Sequence, residues 1–177
     1  GGGDAVIVLG VDPGLAALGY GVIAVEGKRM MARTHGVFRT KRRPGLAVGR
    51  DLTIRIGELA RACEALLDEH RPEAASIEEF RFYGKAVTSS LQVANVVGML
   101  REALRAHGVP VAEYSAQDIK RSVTGYPNAE KVQVQKMVKL QLGMAALPKP
   151  DHAADALAAA IAHACRLPML RATGGAK

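Results

Sequence analysis

Tryptophan is absent from this sequence, and phenylalanine and tyrosine occur only three and four times. With aromatics at 4% of the chain, the interior has to be closed by Leu, Val, Ile and Ala. A hydrophobic fraction of 49% nevertheless excludes a disordered chain. Cysteine is also scarce. Cys63 and Cys165 both fall on helical-looking segments, which excludes a disulfide scaffold and reads as two buried free thiols in a reducing compartment. No apolar run reaches the roughly 18 residues needed to cross a bilayer, and no basic-then-apolar leader opens the chain. A cytoplasmic protein with no membrane contact is therefore expected, with Gly1 to Gly3 set aside as a loose end. Acidic residues are in short supply as well, 17 against 24 basic ones, for a formal net charge of +7. Such a balance suits a polyanionic partner or is simply solubility charge. Its placement is more informative. Arg39 to Arg43 read RTKRR, Lys120 and Arg121 are adjacent, and Lys131, Lys136 and Lys139 recur along one helical segment. Phosphate backbones attract such groups by releasing counterions.

A chain of 177 residues suits one compact domain, expected over 1–168, followed by a flexible tail over 169–177. Ala5 to Val11 is a short apolar run and reads as a buried strand. Gly19 to Val25 and Thr34 to Thr40 read as the next two strands, joined by a turn at Glu26-Gly27-Lys28. Ala47 to His70 reads as a helix, because Leu52, Ile56, Leu59, Cys63 and Leu66 step by four and three along one face. Ala74 to Glu78 is a strand, 79–87 a loop, Thr88 to His107 a second long helix and Val109 to Tyr114 a last strand. Ser115 and Asp118 have the spacing of a capping box at the start of a short helix. Two further helices follow, over 129–142 and 151–167. Three neighbouring strands feeding an alternation of helix and strand imply a mixed five-stranded sheet with helices on both faces, an α/β fold.

Three acids stand where such a sheet gathers side chains. Asp12 ends the first strand, Glu78 ends the fourth, and Asp155 lies in the opening turns of the last helix. Carboxylate oxygens suit hard divalent cations, and two such ions can serve phosphodiester hydrolysis. Each residue also has a plainer reading. Asp12-Pro13-Gly14 is a turn signal, and a turn Asp often caps its own backbone. Glu79 points away from Glu78 as a solvated acid, and Asp151 reads as the N-cap of the last helix. His152 shares a face with Asp155 or is a surface histidine. The alanines from 153 to 160 would let that helix lie close on the sheet.

These stretches together resemble the RuvC family of Holliday junction resolvases. The resemblance rests on Leu9-Gly10-Val11-Asp12-Pro13-Gly14 with Gly19-Tyr20-Gly21, and on Ser76-Ile77-Glu78-Glu79. It continues through Ala129 to Val138 and ends in Asp151-His152-Ala153-Ala154-Asp155-Ala156-Leu157. It spans about Val6 to Leu167. It implies an RNase H-like fold, a homodimer, and a metal-dependent endonuclease that resolves four-way junction DNA by paired nicks leaving 5′-phosphate and 3′-hydroxyl ends. Two Mg²⁺ or Mn²⁺ ions per site are implied, with catalytic and metal-binding roles falling on Asp12, Glu78, His152 and Asp155. Many members carry Asp in place of His152, so this residue serves either as a ligand or in proton transfer. A branch-migration complex of RuvA and RuvB is the implied protein partner.

Aromatics after the catalytic Glu press on junction bases in this family. By this resemblance Phe82 and Tyr83 stack on bases and Phe80 belongs to the core; the plainer reading is that all three simply pack. Lys85 in the same loop, together with Lys120, Arg121 and Lys131, is expected to contact phosphates. The second long helix is apolar on more than one face, so it must be covered twice. Val93, Val97 and Leu100 are therefore expected in a dimer interface, with Gly98 allowing close approach. Competing functions are a ribonuclease acting on RNA–DNA hybrids, a non-catalytic junction scaffold, and a kinase-like nucleotide-binding domain, for which this length leaves no second phosphate-binding half.

Overall fold

The computed structural model describes residues 5–80 and 87–172. Strands β1 (Val6–Asp12), β2 (Ala17–Glu26) and β3 (Arg29–Arg39) form an antiparallel meander. Helix α1 (Val48–His70) leads to β4 (Ala74–Glu78), and α2 (Val87–Ala106) leads to β5 (Val111–Tyr114). The remaining helices are α3 (Ala116–Thr124), α4 (Lys131–Gln141), α5 (Asp151–Ala164) and α6 (Leu167–Ala172). β4 pairs in parallel with β1 and β5 in parallel with β4, giving one mixed sheet in the order β3-β2-β1-β4-β5.

Helices cover both faces, and alternation along β1 divides the core between them. Leu9 and Val11 point to one side and join Leu59, Cys63 and Leu66 of α1 with Val96, Leu100 and Leu104 of α2. Val8 points to the other and packs with α3, α4 and α5 through Ile119, Val123, Val134, Val138, Leu157 and Ile161.

Element boundaries follow the sequence reading closely, with three instructive departures. β3 begins at Arg29, five residues before its expected start, because Gly27 adopts a left-handed φ of +59° and lets Glu26 pair directly with Arg29. The stretch Arg29 to Arg33 lacks a clear apolar alternation because β3 is an edge strand, covered less than its neighbours. The last helix is two helices, and the chain stays helical to Ala172 where a loose tail is expected from Met169. Cys63 is buried as expected, but Cys165 is exposed, because it caps α5 at the end of the covered segment.

Helix α5 lies on bare backbone. A Cβ on Gly10 would sit 1.9 Å from the Ala156 carbonyl oxygen and 2.9 Å from the Ala160 methyl. A Cβ on Gly19 would sit 2.0 Å from the His152 carbonyl oxygen. Glycine in the strands and alanine in the helix are thus two halves of one contact, and neither side can grow without moving the helix. Gly10→Ala should destabilise the protein by about 1–3 kcal/mol in urea titration, as overpacking does. Gly57→Ala, inside α1 where the new methyl meets only the Arg61 side chain at 3.6 Å, should stabilise it by about 0.5–1 kcal/mol. Equal effects of the two changes would contradict the contact.

Candidate active site

Asp12 is the last residue of β1 and Glu78 the last of the adjacent parallel strand β4, so both carboxylates reach the same end of the sheet. α5 starts over that end and brings His152 and Asp155 down from its first two turns. His152 Nδ1 lies 2.8 Å from Asp12 Oδ2. Ligating atoms of Asp12, His152 and Asp155 all fall within 4.8 Å of one another. Glu78 and Asp155 line a cleft of about 280 Å³ with Lys120 of α3 and Lys131 of α4.

The chemistry of this set is that of a cation site. Burial raises the Asp12 carboxyl above its ordinary value, against the lowering effect of the His152 hydrogen bond. Asp155 is raised by burial and by the Asp12 charge. Glu78 is pushed up to about 7 by burial and then by the charges of Asp12 and Asp155, despite Lys120 and Lys131. Carboxylates held together against their mutual repulsion, with an imidazole beside them, fit a divalent ion that would neutralise them. With Nδ1–H donating to Asp12, the His152 ring keeps its other nitrogen as an acceptor or ligand.

Several expected residues sit elsewhere than their sequence suggests. Asp151 is not the N-cap. Pro150 occupies that position and its carbonyl accepts from the Ala153 and Ala154 amides. Asp151 instead turns outward to Lys131 at 3.1 Å and Gln135 at 3.1 Å. Lys131 also stands 3.9 Å from Asp155. Arg121 is exposed and paired with Asp118 at 3.1 Å, whereas Lys120 faces the cleft. Phe82, Tyr83 and Lys85 lie outside the described residues. Phe80, assigned to the core, is 37% exposed beside Glu78, in a second cavity with Ala94 and Val97.

Two of the four residues expected in a dimer interface are covered within the subunit. Leu100 is 2% exposed and Val97 is 7% exposed, because both pack within the subunit. Val93 is half-buried, and Gly98 alone of the four is open to solvent. The outward stripe of α2 is Val87, Leu91, Ala94, Gly98 and Arg101.

One partly buried set behind the site has no clear sequence signal. Tyr114 pairs in register with Glu78, and its hydroxyl lies 2.8 Å from His163 Nδ1. Arg166 stands 4.4 Å over the Tyr114 ring and donates to Ser122 Oγ at 2.9 Å. Burial and the Arg166 charge pull the His163 pKa down, so its ring is neutral and can accept from the tyrosine. These partners come from three elements, and nothing local in the sequence links them.

Known proteins resemble this chain closely. A family model described as crossover junction endodeoxyribonuclease RuvC matches residues 8–163. A crossover junction endodeoxyribonuclease RuvC of Brevibacillus brevis is 39% identical over 157 residues, 89% of this chain and 90% of the relative. The solved structure of Thermus thermophilus RuvC superposes with a TM-score of 0.82 at 34% identity, over 97% of this chain and 98% of that one. A second Thermus structure, RuvC in complex with a Holliday junction substrate, superposes at 0.81 with 32% identity over the same shares.

The raised carboxyls make a checkable statement about stability. Glu78 is protonated more readily in the folded protein than in the unfolded chain. Its favourable contribution is therefore complete below 4.5, its ordinary value, and is lost as pH rises through about 7. In chelator, the melting temperature should fall between those values, and Glu78→Gln should flatten that fall. Added Mg²⁺ should raise melting more at pH 8 than at pH 5. An unchanged pH slope in the Gln variant would remove Glu78 from the cluster.

Proposed function

The chain belongs to the RuvC family of crossover junction endodeoxyribonucleases, and from that membership we propose how its own residues carry the reaction. It is an RNase H-like Holliday junction resolvase. The single observation that supports the site is the convergence of Asp12, His152 and Asp155 within 4.8 Å, with Glu78 charge-coupled to Asp12 and Asp155.

Asp12, Glu78 and Asp155 would hold divalent metal, Mg²⁺ or Mn²⁺ and two per site, with His152 as a further donor. When bound, such ions activate water and hold the leaving oxygen of the phosphodiester. Lys120 and Lys131 neutralise the phosphate that enters the cleft. Their ammonium groups flank Glu78 and Asp155 and oppose the rise in Glu78's pKa, the same field that would attract a phosphate. His152, fixed on Asp12, is oriented to accept a proton or ligate through its remaining nitrogen.

Paired nicks need two sites, and we assign the two-fold contact to the exposed α2 stripe. Val87, Leu91, Ala94, Gly98 and Arg101 step by four and three, the spacing of a helix seam. Val93 flanks it. RuvA and RuvB as partners, and a cytoplasmic location beside cellular DNA, follow as further parts of the proposal. Among the described residues no helix is long and apolar enough to cross a membrane.

The deciding experiment maps nicks on all four strands of a mobile four-way junction in Mg²⁺ or Mn²⁺, with an RNA–DNA hybrid as comparator. Asp12→Asn, Glu78→Gln and Asp155→Asn should each remove most cleavage while junction binding persists, and His152→Ala should fall with them. His152→Asp should retain cleavage, with its preference moved toward Mg²⁺, because an oxygen ligand replaces nitrogen. Full cleavage by Asp12→Asn would sink the assignment.

Sedimentation tests the dimer. Leu91→Asp should yield monomers at micromolar concentration, because it places a charge in the seam. Gly98→Ala should stabilise the helix by about 0.5–1 kcal/mol yet weaken association. A monomeric wild type would refute the arrangement.

A further inference from the structure

The strongest concentration of unexplained charge lies across the sheet from Lys120 and Lys131. Arg39 ends β3, and Lys41 and Arg42 follow it. All three are exposed, and among the described residues no ion pair or hydrogen bond engages their side chains. Arg33 adds to the same edge. It is the extra residue of the bulge between Val22 and Ile23, and it is exposed. Arg43, by contrast, is committed to Glu58.

Position relative to the carboxylates follows from the register. Asp12 pairs with Gly19, and Gly19 pairs with Val37. β3 is thus two strand spacings from Asp12, about 10 Å. It runs two residues past that level to Arg39, which pairs with Ala17. The basic segment therefore stands at the catalytic end of the sheet, on the opposite bank from α3 and α4. A span of 10 Å corresponds to roughly three base steps of one strand at about 3.4 Å each.

The segment is held there by buried polar bonds. Thr40 N–H donates to Ala16 O at 3.1 Å, and Thr40 Oγ1 donates to Leu15 O at 2.7 Å, three residues after Asp12. Arg55 Nε donates to Thr40 Oγ1 at 2.8 Å, and the Arg43 amide donates to Asp51 Oδ1 at 2.9 Å. Asp51 and Arg55 are themselves paired at 3.5 Å and are 5% and 8% exposed. Lys41 and Arg42 are therefore carried between two anchors, Thr40 and Arg43. A buried ion pair is a poor source of net stability, so its value here is the geometry it fixes.

We propose that Arg39, Lys41 and Arg42 form a second phosphate-gripping bank that holds the junction strand a few nucleotides from the scissile phosphate. The strand then crosses the carboxylates with basic groups on both sides. This rests on the resolvase reading above. Its function is affinity and placement of the strand. Bond cleavage stays with the acidic cluster.

The test measures binding of a mobile four-way junction by wild type and by Lys41→Ala/Arg42→Ala over a series of salt concentrations, together with steady-state cleavage. The double variant should bind about tenfold more weakly. Its log affinity against log salt should be shallower by about two contacts, and the loss should appear in KM with kcat within twofold. Lys41→Arg should restore its share. Thr40→Val keeps every exposed charge and loosens the anchor, so it should also weaken binding, with the salt slope closer to wild type. A double variant with wild-type affinity and slope overturns the proposal and leaves the segment as ordinary surface charge. Loss in kcat alone also overturns it. A wild type that neither binds nor cuts the junction overturns the resolvase reading along with it, a failure visible before any variant is compared.

Discussion

Everything at the catalytic end depends on how closely α5 lies on β1 and β2. Gly10 and Gly19 leave no side chain between strand backbone and helix backbone, and the helix answers with Ala153, Ala154, Ala156 and Ala160. The helix axis is drawn in until the His152 carbonyl would touch any substituent on Gly19. Only at that separation can the short side chain of Asp12 meet His152 and stand beside Asp155. A leucine-faced helix, standing further off the sheet, would separate the charges. The small-residue contact contributes modest burial of its own, so the large residues on either side, Leu157 and Ile161, stabilise the helix while the small ones set its height.

That height carries an electrostatic cost. Three carboxylates are gathered where water is partly excluded, and each is pushed toward its neutral form. Strand ends and a helix start are rigid, so the groups cannot relax apart. Burial and mutual repulsion therefore oppose ionising all three at once, and two separate cores, one on each face of the sheet, hold the strand ends and helix start in place. The polar set of Tyr114, His163, Arg166 and Ser122 belongs to the same balance. It ties β5, α5 and α3 together directly behind Glu78 with its hydrogen bonds satisfied.

Much of this was legible in the sequence because it is local. Asp12 and Glu78 close apolar runs, and strand termini are readable from such runs. α1 announces itself by its stepping apolar face, and the apolar run Ala74 to Ile77 closed by Glu78 coincides with β4. The misreadings share one cause, which is that burial depends on neighbours remote in sequence. Leu100 and Val97 look like a second apolar face of α2, yet Leu100 packs with α1 and the sheet and Val97 turns toward Glu78 and Phe80, so the exposed stripe is left to Leu91, Ala94 and Gly98. Asp151 has every local mark of an N-cap and is instead taken by Lys131, twenty positions earlier in the chain. Phe80 looks like core by type, and its strand has already ended.

Lys131 shows how the charges of the cleft are arranged to be exchanged. Its ammonium is shared between Asp151 outside the cluster and Asp155 within it, at 3.1 and 3.9 Å. Both carboxylates raise the lysine's pKa, the hydrogen bond to Asp151 most of all. These contacts favour the charged form of the lysine. Yet its side chain is half exposed, and an exposed ion pair holds by a kcal/mol or less. An incoming phosphodiester carries one negative charge over two non-bridging oxygens, as a carboxylate does, so it competes for the same ammonium on comparable terms, and the neighbouring phosphates of the strand add their field. On the phosphate role proposed for Lys131, Asp151 is its resting partner. It keeps Lys131 pointed across the cleft mouth without burying it, so the cation is pre-positioned for phosphate at little cost in affinity.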